Sequence, residues 1–141
     1  MNTRICRITL LLIGLLLLGS GCGISKPYRE MSMQKASEWM EKESGYLLVD
    51  VRTAEEYEEG HIPGAILLPI EEIRKGKLDA LPDPDQTLLI YCRTGRRAED
   101  AAAILVKEGY SNVYAIGGIF DWTGEIVSGP GGGPEDGSSF Q

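Results

Sequence analysis

The chain has 141 residues, with 14 Lys and Arg against 21 Asp and Glu, and a formal net charge of −7 at pH 7. An acidic balance of this size argues against a nucleic-acid partner and against electrostatic adhesion to anionic lipid. Three cysteines and one histidine form no set with the usual zinc-ligand spacings, so neither a metal nor another cofactor is expected.

Arg4 and Arg7 precede Ile8–Leu18, an almost unbroken apolar stretch with Gly14 inside it. A basic flank, a short apolar core and the small residues Gly19, Ser20 and Gly21 predict a secretory signal over residues 1–21. The run is short for a membrane span, which needs about 20 residues. Cys22 follows directly and resembles a bacterial lipoprotein processing site, where this Cys becomes the lipidated first residue. Gly19 departs from that pattern, which prefers Leu there. The expected location is therefore the cell envelope or periplasm, with a lipid anchor to a membrane. Removing residues 1–21 leaves 12 basic against 21 acidic residues, a charge of −9, so attachment would come from the lipid alone.

Residues 22–30 read as a polar tether. Ser32 caps a helix running to about Lys42, with Met33, Ala36, Trp39 and Met40 on one face. Tyr46–Val51 reads as a buried strand, and Ala54–Glu59 as a short acidic helix closed by Gly60. His61 sits in a loop that ends in Pro63-Gly64 and feeds a strand over Ala65–Leu68. A turn-stabilising hydrogen bond suits it better than a general-base role. Ile70–Leu78 reads as a helix with Ile70, Ile73 and Leu78 toward the sheet, and Leu81–Asp85 as a rigid loop.

The centre of the pattern is Leu88–Ala98. Thr87–Tyr91 is a buried strand that stops at Cys92, and Arg97–Glu108 is a helix with Ala98, Ala101, Ala102, Leu105 and Val106 at helical spacing. Cys92 thus stands between the carboxyl end of a strand and the amino end of a helix, the edge where open α/β sheets bind ligands. Unpaired N–H groups and the helix dipole favour an anion there. Arg93, Arg96 and Arg97 follow within five residues. A core cysteine needs no cationic ring, whereas a reactive thiolate needs an electropositive, partly exposed site. Asn112–Ile116 is a further strand, Gly117-Gly118 turns at the same edge, and Ile119–Trp122 opens a last short helix. Residues 128–141 are nearly devoid of apolar side chains and read as a disordered tail. Strands alternating with helices predict one domain over residues 31–127. Its expected form is a three-layer α/β/α fold, with a parallel sheet of four to five strands and helices on both faces. The fifth strand is expected near Tyr28–Ser32.

Cys92-Arg93-Thr94-Gly95-Arg96-Arg97 resembles the six-residue active-site loop of rhodanese-like sulfurtransferases. Leu48–Arg52, Glu55-Glu56-Tyr57 and Gly60–Ala65 are similar to the family's Asp-Val-Arg, Glu-Tyr and Gly-His-Ile-Pro-Gly-Ala signature, and Gly117-Gly118 followed by Trp122 is a third match. The resemblance implies a Cys92 thiolate that attacks the outer sulfur of an anionic donor such as thiosulfate and becomes a persulfide. Cyanide, a thiol or a dithiol, or a protein acceptor, then takes the sulfur. Backbone N–H groups of residues 93–97 are expected to converge on the sulfur. Arg93 and Arg96 would bind the donor. Arg97 either ties the loop down or stands solvated at the helix start. Gly95 permits an unusual backbone conformation, and Thr94 donates its hydroxyl to the sulfur or to the loop. Asp50 and Arg52 are implied to brace the loop. Two other readings stand beside the enzyme. One is an envelope persulfide carrier or binding module with little turnover. The other is a phosphatase or arsenate reductase, disfavoured because a phosphatase loop places Arg six residues after Cys, where this chain has Ala98.

Overall fold

Five strands lie side by side in the computed structural model, which describes residues 25–130. The expected signal, Cys22 and residues 131–141 of the expected tail lie outside the described residues. In chain order the strands are β1 (Arg29–Glu30), β2 (Tyr46–Asp50), β3 (Ile66–Leu67), β4 (Thr87–Cys92) and β5 (Asn112–Gly118). The helices are α1 (Met33–Met40), α2 (Ala54–Glu59), α3 (Ile70–Arg74) and α4 (Arg96–Lys107), with a 3-10 turn at Ile119–Asp121. The sheet order is β1-β5-β4-β2-β3, and every pairing is parallel. The fifth strand is β1, two residues long and at the sheet edge.

Strand β4 is central and its side chains alternate between two cores. Leu88, Ile90 and Cys92 join Val49 and Val51 against α3 and α4, whereas Leu89 and Tyr91 join Leu48 and Ile116 against Met33 and Ala36 of α1 and Tyr57 of α2. Burial on both faces is why β4 reads as a continuous apolar run. Helix α4 covers its side with Ala98, Ala101, Ala102 and Leu105, all buried.

Several helix ends follow local chemistry. Ser32 accepts from Lys35 N–H at 3.3 Å as the cap of α1. Thr53 and Glu56 form a reciprocal capping box on α2. Helix α3 stops at Arg74, short of the expected Leu78, because Gly76 turns the chain at φ 73°. Ser128 Oγ donates to Glu59 O at 3.0 Å and Gly129 N–H to Glu58 O at 2.9 Å. These first residues of the expected disordered tail are therefore tied to the end of α2. Among the described residues no helix is long and apolar enough to cross a membrane.

Candidate active site at the carboxyl end of β4

Cys92 ends β4, and its side chain is 1 % exposed rather than partly exposed as expected. The loop after it folds back over the sulfur: Gly95 N–H donates to Cys92 Sγ at 3.0 Å. Gly95 holds φ 104°, a left-handed conformation that L side chains resist, and stands immediately before α4. The sulfur therefore lies under the loop at the positive end of a twelve-residue helix.

The loop rests on β5. Between Ile90 and Cys92 the register slips, so Ile90 pairs with Ala115 but Cys92 pairs with Gly118. Strand β5 carries one extra residue, a bulge with Gly117 at φ 96°. The bulge brings Gly118 so close to the loop that a Cβ there would lie 2.6 Å from Thr94 Cα and would strike Arg93 O. The glycine pair expected as a turn is instead the end of a strand on which the loop sits.

The three loop arginines differ. Arg97 donates from Nη1 to Glu56 Oε2 at 2.7 Å and from Nη2 to Glu56 Oε1 at 2.8 Å. It ties the loop down, and its guanidinium is taken by a carboxylate rather than offered to a ligand. Hydrogen bonding to Arg97 holds the Glu56 carboxyl down at about 2 against the opposing effect of burial. Glu56 in turn raises the Arg97 pKa, again against burial, and the nearby Cys92 sulfur raises it further. Arg93 and Arg96 are exposed at the mouth. The Arg93 guanidinium lies 5.0 Å from the centroid of the Phe120 ring. Thr94 is exposed, and its hydroxyl makes no hydrogen bond among the described residues.

Asp50 and Arg52 brace a different place. Arg52 Nη2 donates to Asp50 Oδ2 at 2.6 Å and to Gly60 O at 2.7 Å, with Nε on both carboxylate oxygens at 3.0 Å. Burial opposes the charge on Arg52, but its hydrogen bonds to the Asp50 carboxylate, and that carboxylate's charge, outweigh it and raise its pKa. The pair meets the site through Tyr91, whose ring centroid lies 5.8 Å from Arg52 Cζ. Burial, with the Asp50 carboxylate nearby, pushes the Tyr91 hydroxyl up, so it stays neutral, and its oxygen accepts from Ile62 N–H at 3.2 Å. No hydrogen bond joins Asp50 or Arg52 to residues 93–97 among the described residues. Glu56 does the bracing that the resemblance implied for that pair.

His61 is buried, stacked on Tyr57 at 3.7 Å with its Nδ1 2.9 Å from Tyr57 O, and its backbone bridges Val127. That is the turn-stabilising role expected of it. Glu56 and Phe120 are site residues missed in the sequence. The Thr53-x-x-Glu56 capping box was a usable signal for one of the two jobs of Glu56. The cavities lined by Met40, Glu41, Tyr46, Leu48 and Pro63, about 300 and 620 Å³, share no residue with the 92–97 loop. Of the loop amides expected to converge on the sulfur, Gly95 N–H is the one hydrogen-bonded to Cys92 Sγ among the described residues.

A family model described as the rhodanese-like domain matches residues 32–125. The chain is 38% identical over 73 residues to the thiosulfate sulfurtransferase PspE of Escherichia coli, across 52% of this chain and 70% of that protein. It is 35% identical over 97 residues to the putative sulfur carrier protein YrkF of Bacillus subtilis, across 68% of this chain but about half of that relative, 51%. A solved rhodanese with anions from E. coli superposes with a TM-score of 0.55 at 36% identity, covering 60% of this chain and 99% of that one.

Proposed function

The chain belongs to the rhodanese-like domain family of sulfurtransferases, and on that premise we propose that it carries sulfane sulfur as a persulfide on Cys92. The observation that carries the reading is the Cys92 sulfur itself, held under its loop by the Gly95 amide at the amino end of α4. The Cys92 thiolate attacks the outer sulfur of thiosulfate or a similar donor. A Cys92 S–S bond forms, the S–S bond of the donor breaks, and sulfite leaves with the electron pair. An acceptor nucleophile then attacks the outer sulfur: cyanide leaves as thiocyanate, or a thiol leaves as a hydropersulfide, and the Cys92 thiolate returns. The Gly95 amide and the helix start stabilise the negative sulfur in both states. Arg93 and Arg96 bind the anionic donor and the departing sulfite; Arg97 holds the loop through Glu56.

Ala98 supports this reading over a phosphatase. It is the sixth residue after Cys92, where a phosphatase loop carries its arginine, and it is fully buried in the core. A loop of this length fits one sulfur atom better than a tetrahedral phosphate.

Incubation with thiosulfate should add one sulfur atom to Cys92 and release sulfite, and cyanide should then return the thiol and yield thiocyanate. Cys92→Ser should lose both steps. Arg96→Ala should raise the KM for thiosulfate about two- to fivefold, the size of a solvent-exposed charge interaction, and leave alkylation of Cys92 by a neutral reagent nearly unchanged. Hydrolysis of aryl phosphates without persulfide formation would overturn the proposal. The likeness to a putative sulfur carrier favours a second reading, in which the protein hands persulfide to a protein acceptor. Loading without turnover on cyanide, and turnover restored by a partner, would select it.

The location is proposed from residues outside the described part. Export through the 1–21 signal and lipidation at Cys22 predict a membrane-fraction protein that begins at Cys22 and carries acyl mass. Stable attachment takes two or more chains. A soluble protein beginning elsewhere would sink this part.

A further inference from the structure

The loop arginines are held in three different ways. Arg97 is fixed and neutralised by Glu56. Arg96 is exposed and meets neither carboxylate nor ring among the described residues. Arg93 is fixed without being neutralised: its guanidinium lies 5.0 Å from the centroid of the Phe120 ring, and no carboxylate meets it among the described residues.

The difference is chemical. An aromatic face attracts a guanidinium through its quadrupole and accepts none of its in-plane hydrogen bonds. The five N–H donors of Arg93 stay available, in the fork that matches an oxyanion. A carboxylate in the same place would have taken two donors and cancelled the charge, as Glu56 does for Arg97.

Phe120 has no packing role of its own. Its side chain is 67% exposed, one of two large apolar residues in that state among the described residues. Its position is set by the backbone beneath the loop. It opens two residues after Gly118, which packs against Arg93 O, and its own N–H points to Arg93 O at 3.5 Å. The ring is thus placed against the loop residue next to Cys92.

We infer that Phe120 is a positioning residue for the anionic donor: its ring holds the Arg93 guanidinium at the mouth of the Cys92 loop, charged and unpaired, to receive the sulfonate end. The inference rests on the persulfide reading for the reaction, but the anion subsite it describes is measurable without turnover.

The test replaces Phe120 with 3,4,5-trifluorophenylalanine, which keeps the ring and removes most of its quadrupole. Phe120→Leu and Phe120→Trp serve as companions. Two quantities are read: KM and kcat for thiosulfate, and the sulfate concentration that half-protects Cys92 from iodoacetamide. The fluorinated and Leu proteins should show both KM and the half-protecting concentration raised about two- to fivefold, the range of an exposed cation–π contact. The effect should fall on KM rather than kcat, and the Trp protein should match or exceed the wild type. Fluorinated protein equal to wild type in both readouts, or Leu equal to Phe, overturns the inference. Wild type that turns over no thiosulfate, yet loses sulfate protection on fluorination, upholds the Phe120 role and overturns the persulfide reading instead.

Discussion

Glu56 and Arg97, 41 positions apart in the chain, meet through two hydrogen bonds of 2.7 and 2.8 Å and so lock the first turn of α2 to the first turn of α4. Oε2 of Glu56 also accepts from Thr53 N–H at 3.1 Å. One carboxylate therefore caps its own helix and anchors the loop that covers Cys92.

Glu56→Gln separates those two jobs, because glutamine still completes a capping box but brings no charge to Arg97. The pair is partly exposed, with side chains 33% and 25% accessible. The expected loss is about 1 kcal/mol, seen as a drop in Tm of roughly 4–8 °C for a domain of this size. Persulfide loading should slow further than the melt accounts for, since the loop loses its anchor. An unchanged loading rate in folded Glu56→Gln protein would mean that the loop holds itself.

The same pair sets a pH dependence. Glu56 falls from its ordinary 4.5 to about 2 in the folded protein, first because Arg97 hydrogen-bonds to it. A depressed carboxyl contributes stability that is complete above its unfolded pKa and is lost as pH falls through the folded value. The stability difference between wild type and Glu56→Gln should be flat above about pH 5 and shrink between about pH 4.5 and 2. Denaturant unfolding across that range measures it; a difference that grows on acidification has the wrong sign for this pair.

Gly118→Ala tests the contact between β5 and the loop. The new Cβ would sit 2.6 Å from Thr94 Cα, in backbone that has no free rotamer to yield. The expected cost is about 1–3 kcal/mol, as for other overpacked positions, with loss of sulfur loading. Gly64→Ala is the control for glycine loss in open space: it strains a φ of 78°, which the extended Gly118 does not hold, but meets nothing within 4 Å. Loading that survives equally in both variants would remove β5 from the site.

His61→Phe keeps a ring over Tyr57 and removes the Nδ1 contact to Tyr57 O. Stability should fall by about 1 kcal/mol, the usual worth of one hydrogen bond. The pH profile of persulfide loading between pH 5 and 8 should keep its shape. A missing inflection in that window would give His61 the proton-transfer role that its buried, stacked position argues against.

Much of this architecture could be read along the chain, because the signals were local. Ser32 and Gly60 marked a cap and a stop, Gly95 a turn, and β4 betrayed its double burial by five apolar residues in a row. What escaped reading depended on contacts between distant segments. Glu56 looked like any acid in an acidic helix until α4 packed beside it. Gly117-Gly118 has the composition of a turn, and only the register against β4 makes it a bulge. Leu78 suited the apolar face of α3, but the positive φ at Gly76 ended the helix first. Ser128 and Gly129 are held by backbone carbonyls, which composition does not reveal.

The dependence of the site on Gly118 has a consequence for how the protein comes into being. Gly118 is made 26 positions after Cys92, and parallel pairing of β4 with β5 must wait for the whole of α4 between them. Until β5 docks, the loop over the thiol lacks the Gly118 backbone it packs against. Long-range parallel pairings of this kind are slow to form. On the persulfide reading, sulfur loading therefore requires the β4–β5 pairing as well as the Cys92 loop itself.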